Sequence, residues 1–338
     1  MKKIGVLGAG TWGMALARML AVSGHSVTVW SAIEKEIDEF SATRRHPNLP
    51  GMVIPDEIAF TKDMEAVCRG MDILLFAVPS TFVRSTARKA APYVTDGQII
   101  VDVAKGIEED TLFTMTQIIE SELRNPAVPL VALSGPTHAE EVAKDLPTTI
   151  VSACKDMAAA QQVQEVFSNT CMRVYTNDDV LGVELCGAMK NVIALAAGVA
   201  TGYGCGDNTK AALITRGIAE ISRLGTAMGC KESTFSGLAG IGDLIVTATS
   251  MHSRNNRCGM LLGQGMRPEE AVKQVGMVVE GLNALPAAMR LKQMYQVEMP
   301  IVEAVDAVVN GGISAAEAVQ MLMTRDQKPE RFRAGLEQ

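Results

Sequence analysis

The chain has 338 residues, 48% of them hydrophobic and 20% charged, with a formal net charge of -7. This length accommodates two domains of ordinary size, and the balance fits a globular protein with a substantial core and excludes a disordered chain. The acidic net charge speaks against a broad basic surface for nucleic acid.

Lys3 to Leu7 reads as a short buried strand, followed by a glycine-rich turn, Gly8-Ala-Gly10-Thr11-Trp12-Gly13, that opens a helix to about Ser23. Ser26 to Trp30 reads as a second strand. This is GxGxxG in the setting it requires, between a strand and a helix, and it points to dinucleotide binding. Gly8 permits the turn, Gly10 lets the backbone approach a pyrophosphate, and Gly13 allows close helix packing. The helix N-terminus adds amide donors for the phosphates. The apolar run at the N-terminus is too short and too rich in glycine for a signal peptide.

An acid is expected about twenty residues after such a turn, where it holds the ribose 2′-OH of NAD. The stretch Trp30-Ser31-Ala32-Ile33 has none before Glu34. Arg44-Arg45 in the next loop are either a pair that reaches a 2′-phosphate or two solvated arginines. NAD and NADP both stay open.

Further strands are read at Asp72 to Val78, Gln98 to Val103, Val128 to Leu133 and Thr148 to Ser152. Their alternation with helices implies a mostly parallel sheet covered on both faces. Ligands of such sheets lie beyond the carboxyl ends of the strands, where Pro79-Ser80, Lys105-Gly106 and Gly135-Thr137 fall. A lysine at that edge, Lys105, either holds a substrate oxygen or is a surface lysine.

After Asn177-Asp178-Asp179 the strand pattern stops, and helices follow around Lys190 and at Asn208 to Met228, Pro268 to Val275, Asn283 to Gln296, Pro300 to Val309 and Ser314 to Met323. The expected division is a dinucleotide-binding domain over 1–180, a helical substrate domain over 181–325 and a charged surface tail over 326–338. The stretch from Leu181 to Ala200 is almost wholly apolar yet carries Glu184, Lys190 and Asn191. Its charges favour a buried helix over a membrane span. Glu184 is six residues from Lys190 and does not lie beside it on a helix. Lys190 is therefore either a snorkelling structural lysine or one held for chemistry.

Two polar clusters interrupt this half. Asp243 lies among glycines and apolar residues, and a buried aspartate needs a cation, for which Lys190 is the candidate. Ser253 would cap a helix whose first turn holds Arg254 and Asn255, a site for phosphate or a solvated surface.

Taken together, GAGTWGMALA, VPS, AKGIE, SGPTHAEEVA, GAMKNVIALAAGV, ALITRGIAE, GLAGIGDLIVTATS, HSRNNR and VVEG make the chain resemble the NAD(P)-dependent glycerol-3-phosphate dehydrogenases from about residue 4 to residue 325. The resemblance implies a Rossmann-type doubly wound sheet and an all-helical C-terminal substrate domain. It implies that Lys190 is the acid/base, with Asp243 beside it. Substrate contacts are implied for Lys105, Gly135, Thr137, Ser253, Arg254 and Asn255. Cofactor contacts are implied for Gly8, Gly10, Thr11, Trp12, Gly13, Leu49, Lys105, Ala139, Arg254, Val278 and Glu280. Thr11, His138 and Asn256 depart from the family's more usual Ser, Phe and Arg, and the arginine often found near Ala32 is missing.

The implied reaction is hydride transfer between NAD or NADP and dihydroxyacetone phosphate, giving sn-glycerol 3-phosphate for phospholipid synthesis in the cytoplasm. Competing readings are a 3-hydroxy-acid or sugar-acid dehydrogenase of the same plan, and a cofactor sensor without turnover. The seven dispersed cysteines fit a reducing compartment, and the four isolated histidines point to no metal site. An apolar face on the Met-rich helical half would support a homodimer.

Overall fold

Strands of three to six residues, most of them rich in Val, Ile and Leu, build one sheet in the first half of the chain. The computed structural model describes residues 1–327, 329 and 330. Its strands are β1 (Lys3–Leu7), β2 (Ser26–Trp30), β3 (Ala59–Thr61), β4 (Ile73–Phe76), β5 (Ile99–Asp102), β6 (Leu130–Ser134), β7 (Thr148–Ala153) and β8 (Met172–Asn177). They lie in the order β3-β2-β1-β4-β5-β6-β7-β8. All neighbours are parallel except β6 and β7. The order reverses between β1 and β4, the switch point of a doubly wound Rossmann-type sheet.

Helices α1 (Thr11–Val22), α2 (Glu34–Thr43), α3 (Met64–Cys68), α4 (Val83–Ala90), α5 (Met115–Leu123), α6 (Ala139–Val142) and α7 (Met157–Val166) connect the strands. Successive strand residues point to opposite faces. Thus Ile73, Leu75, Ile99 and Val101 pack with α1, α2, α6 and α7 on one side. Leu74, Phe76 and Ile100 pack with α3, α4 and α5 on the other.

The sequence reading omitted β3, β8 and several of these helices. β3 has only three residues, and β8 alternates buried and exposed positions through the polar MRVYTN. β7 was read as one more strand of a mostly parallel sheet, and its short link through the four-residue α6 returns it antiparallel to β6.

Packing divides the chain into Met1–Glu108 with Phe113–Glu184, and Glu109–Leu112 with the chain from Leu185 onward. Arg290 donates to the carbonyls of Glu109 and Asp110, which places that short excursion in the second unit. The expectation of a surface tail falls largely on residues outside those described.

The second unit is built from α8 (Val180–Tyr203), α9 (Asp207–Ala227), α10 (Glu232–Phe235), α11 (Asp243–Thr249), α12 (Arg254–Gly263), α13 (Pro268–Val275), α14 (Glu280–Tyr295), α15 (Pro300–Val309) and α16 (Ala315–Met323). The Oδ1 of Asp179 accepts from Gly182 N at 3.0 Å and starts α8. Of the most apolar stretch of α8, 89% is buried, so its length and hydropathy belong to a core helix. Helix α14 begins at Glu280, three residues before the expected Asn283, and runs through Pro286.

Glycines bring α8 and α12 into backbone contact. A Cβ on Gly198 would overlap the Asn256 carbonyl, and one on Gly259 would overlap the Leu195 carbonyl. The same holds for Gly202 against Met260 and for Gly263 against Val199. Two glycine pairs, each four residues apart, therefore form matching flat stripes, and they bring the start of α12 close to the Lys190 helix.

Candidate active site

In the first unit the glycine turn has the geometry its spacing implies. Gly8 has φ +122°, which favours glycine, and a Cβ there would sit 2.6 Å from the Ala77 carbonyl oxygen. A Cβ on Gly13 would overlap the Gly8 carbonyl. Around Gly10 the space is open, with no heavy atom within 4 Å of where a Cβ would lie. Thr11 and Trp12 form the first turn of α1, whose amide groups lack intrahelical partners. This cradle fits a pyrophosphate. Trp12 and Ala139 pack against the apolar core on that face, while Leu49 is buried within it.

Beyond β5 and β6, Lys105 Nζ donates to the Gly135 carbonyl at 3.0 Å. The Thr137 hydroxyl donates to the same oxygen at 3.1 Å. These three expected substrate residues are thus brought together. A Cβ on Gly106 would collide with Ser80, which packs the Pro79-Ser80 turn against the Lys105-Gly106 turn.

Two carboxyls lie buried near this edge. Glu184 accepts from the Thr114 hydroxyl at 2.7 Å, the Thr116 amide at 2.8 Å and the Thr116 hydroxyl at 2.6 Å. Burial still holds its carboxyl above the usual range. Burial, and then the neighbouring Glu184, push the Asp102 carboxyl well up, and among the described residues its Oδ1 has no hydrogen-bond partner.

In the second unit Lys190 is not a snorkelling lysine: it is 6% exposed. Its Nζ lies 2.7 Å from Asp243 Oδ1 and 2.6 Å from Thr247 Oγ1. Asp243 has no exposed surface. The Thr247 hydroxyl donates to the Asp243 carbonyl at 2.7 Å, so its oxygen is left to accept from the ammonium. Asp243 opens α11 immediately after a wide turn over Leu238–Gly242. That turn is broken at Gly240, where a Cβ would overlap the Phe235 carbonyl. This explains the glycines around the acid: they let the chain change pitch and deliver a buried carboxylate.

Ser253 caps α12 by accepting from Asn256 N at 3.2 Å, and Arg254 follows, half-buried, in the first turn. The side chain of Asn255 has partners within the protein. Its Nδ2 donates to Asn191 Oδ1 at 2.9 Å and its Oδ1 accepts from Gly281 N at 2.8 Å. Its side chain is a strut, which leaves the main-chain N–H as its natural contact for an anion. Gly281 follows Glu280, and Val278 lies exposed just before that turn.

Sequence reasoning gave no role to Thr247 or Asn191. The i,i+4 spacing of Asp243 and Thr247 was the available signal for the first. The Arg44 guanidinium donates to Ile58 O at 2.9 Å and lies over the Phe60 ring.

A Rossmann-type sheet with an open glycine cradle, and a helical unit holding a buried lysine–aspartate pair, define a two-unit protein of the dinucleotide-binding class. Family descriptions for the N-terminus and the C-terminus of NAD-dependent glycerol-3-phosphate dehydrogenase match residues 3–160 and 179–320. The chain belongs to that family. It is 67% identical to a glycerol-3-phosphate dehydrogenase of Lactobacillus delbrueckii subsp. bulgaricus, over 98% of this chain and 99% of that one. It is 54% identical to one from Agathobacter rectalis, over 98% of each. The solved glycerol-3-phosphate dehydrogenase of Coxiella burnetii superimposes with a TM-score of 0.91 at 36% identity, over 96% of this chain and 99% of that one.

Proposed function

We propose that the chain catalyses the reversible, NAD(P)-linked interconversion of dihydroxyacetone phosphate and sn-glycerol 3-phosphate. The observation that carries this reading is the Lys190 ammonium, buried in α8 on Asp243 and Thr247, in a chain of this family. When bound, the nicotinamide exchanges a hydride with C2 of the substrate.

The residues of the chain do the rest. Lys190 faces the growing negative charge on the carbonyl oxygen and gives it a proton, taking the proton back in the reverse direction. Asp243 and Thr247 fix the direction of the ammonium. Ser253, Arg254 and the Asn255 main-chain N–H, at the start of α12, hold the phosphate, and Lys105, Gly135 and Thr137 hold the remainder of the substrate. Gripping the remote phosphate aligns C2 for transfer. Gly8, Gly10, Thr11, Trp12 and Gly13 hold the pyrophosphate, and Leu49, Ala139, Val278 and Glu280 complete the cofactor's surroundings along with Lys105 and Arg254. The product supplies phospholipid synthesis in the cytoplasm. Exposed Met294, Met321 and Met323 on the helical unit support a homodimer, which sedimentation would report.

Initial rates test the reading. Dihydroxyacetone phosphate should be reduced and glycerol 3-phosphate oxidised, while 3-hydroxyisobutyrate and 6-phosphogluconate should not react. Turnover of either acid in preference to glycerol 3-phosphate would replace the reading with the hydroxy-acid one. Dinucleotide binding without turnover of any of them would favour a sensor.

A further inference from the structure

The end of β2 carries a carboxylate that the order of residues does not announce. The Gly8 amide donates to the Trp30 carbonyl at 2.8 Å, which sets the next residue, Ser31, beside the glycine turn. Ser31 is buried, and its hydroxyl donates to Glu36 Oε2 at 2.6 Å while accepting from Ile33 N at 3.1 Å. Glu36, in the first turn of α2, therefore reaches back to the strand end where an acid was expected and found missing. Its Oε1 takes no hydrogen bond among the described residues. The buried His46 closes the same corner: it is hydrogen-bonded to the Ala9 backbone, and its Nδ1 accepts from Asn48 N at 3.1 Å.

Two of the cations nearby, Lys62 and Arg44, are committed elsewhere. Lys62 lies 2.8 Å from Asp38 and 3.6 Å from Glu34. Arg44 turns away to the Pro55 and Ile58 carbonyls.

We infer that Glu36, positioned by Ser31, is the residue that accepts the hydroxyls of the adenosine ribose and makes this chain an NAD(H)-preferring enzyme. In a dinucleotide-binding sheet the ribose lies beside the end of β2, and a carboxylate there accepts from its 2′-OH. A 2′-phosphate would be set against that carboxylate, like charge against like charge. The inference rests on the reading of the first unit as the dinucleotide site.

The test uses ADP-ribose and 2′-phospho-ADP-ribose, which isolate the 2′ position from turnover, titrated calorimetrically into the intact enzyme. ADP-ribose should bind about tenfold more tightly or better, the size expected of one charged hydrogen bond. Glu36→Gln should shrink that ratio about tenfold, and the ratio of kcat/KM for NADH over NADPH should fall in parallel. Equal binding of the two nucleotides, or an unchanged ratio in Glu36→Gln, would overturn the inference while leaving the dehydrogenase reading in place. Failure of both nucleotides to bind would overturn the reading of the first unit and this inference with it.

Discussion

The side chain of Asn255 joins Asn191 on α8 to the Gly281 amide at the start of α14, through hydrogen bonds of 2.9 and 2.8 Å. Both contacts are buried. Asn255→Ala orphans two polar groups, each costing about 1–3 kcal/mol. The variant should be less stable by about 2–4 kcal/mol in urea unfolding. A loss below about 0.5 kcal/mol, the range of ordinary surface changes, would show that the strut is dispensable.

The glycine stripes make an opposite kind of demand. Alanine is the better helix former by about 1 kcal/mol, so helix propensity alone favours Gly259→Ala. The added Cβ would overlap the Leu195 carbonyl and force α12 away from α8. Overpacking of this kind costs about 1–3 kcal/mol. We expect a lower Tm for Gly259→Ala, and an unchanged or higher Tm would mean that the two helices can separate freely.

Glu220 makes stability depend on pH. Its carboxylate accepts from Ile301 N at 2.8 Å and Val302 N at 3.3 Å, at the start of α15. Burial pushes its carboxyl up to about 7, although those hydrogen bonds, Arg223 and Arg325 pull it down. An unfolded glutamate titrates near pH ~4.3. With the folded value raised, the contribution is fully present below the unfolded value and is lost as pH rises through the folded one. Wild type should therefore lose about 2–3 kcal/mol more than Glu220→Gln between pH 5 and pH 8. Parallel pH profiles from urea midpoints would contradict this.

Much of the fold was legible because local signals agree with it. Lys3–Leu7, the glycine turn and Ser26–Trp30 form a local unit whose periodicity and turn chemistry need no distant partner. Pro268–Val275 and Pro300–Val309 were read to the residue, since proline marks each start. The antiparallel return of β7 was not legible, because direction depends on where the chain re-enters the sheet. The site divides in the same way. Lys190 and Asp243 stood out as charges in apolar sequence, whereas the partners of the Asn255 side chain, Asn191 and Gly281, were not legible because they are distant in sequence. Glu36 was passed over for a similar reason: its carboxylate reaches back five residues to Ser31.

The central claim is that the buried Lys190 ammonium is the group that protonates the substrate oxygen. The direct measurement is kcat for dihydroxyacetone phosphate reduction by Lys190→Ala, beside a fluorescence titration of the same protein with NADH. Loss of a positioned general acid costs about two to four decades in rate, so kcat should fall by that much while dinucleotide affinity stays near wild type. Turnover within about a factor of ten of wild type, by a variant that still binds the dinucleotide, would contradict the claim.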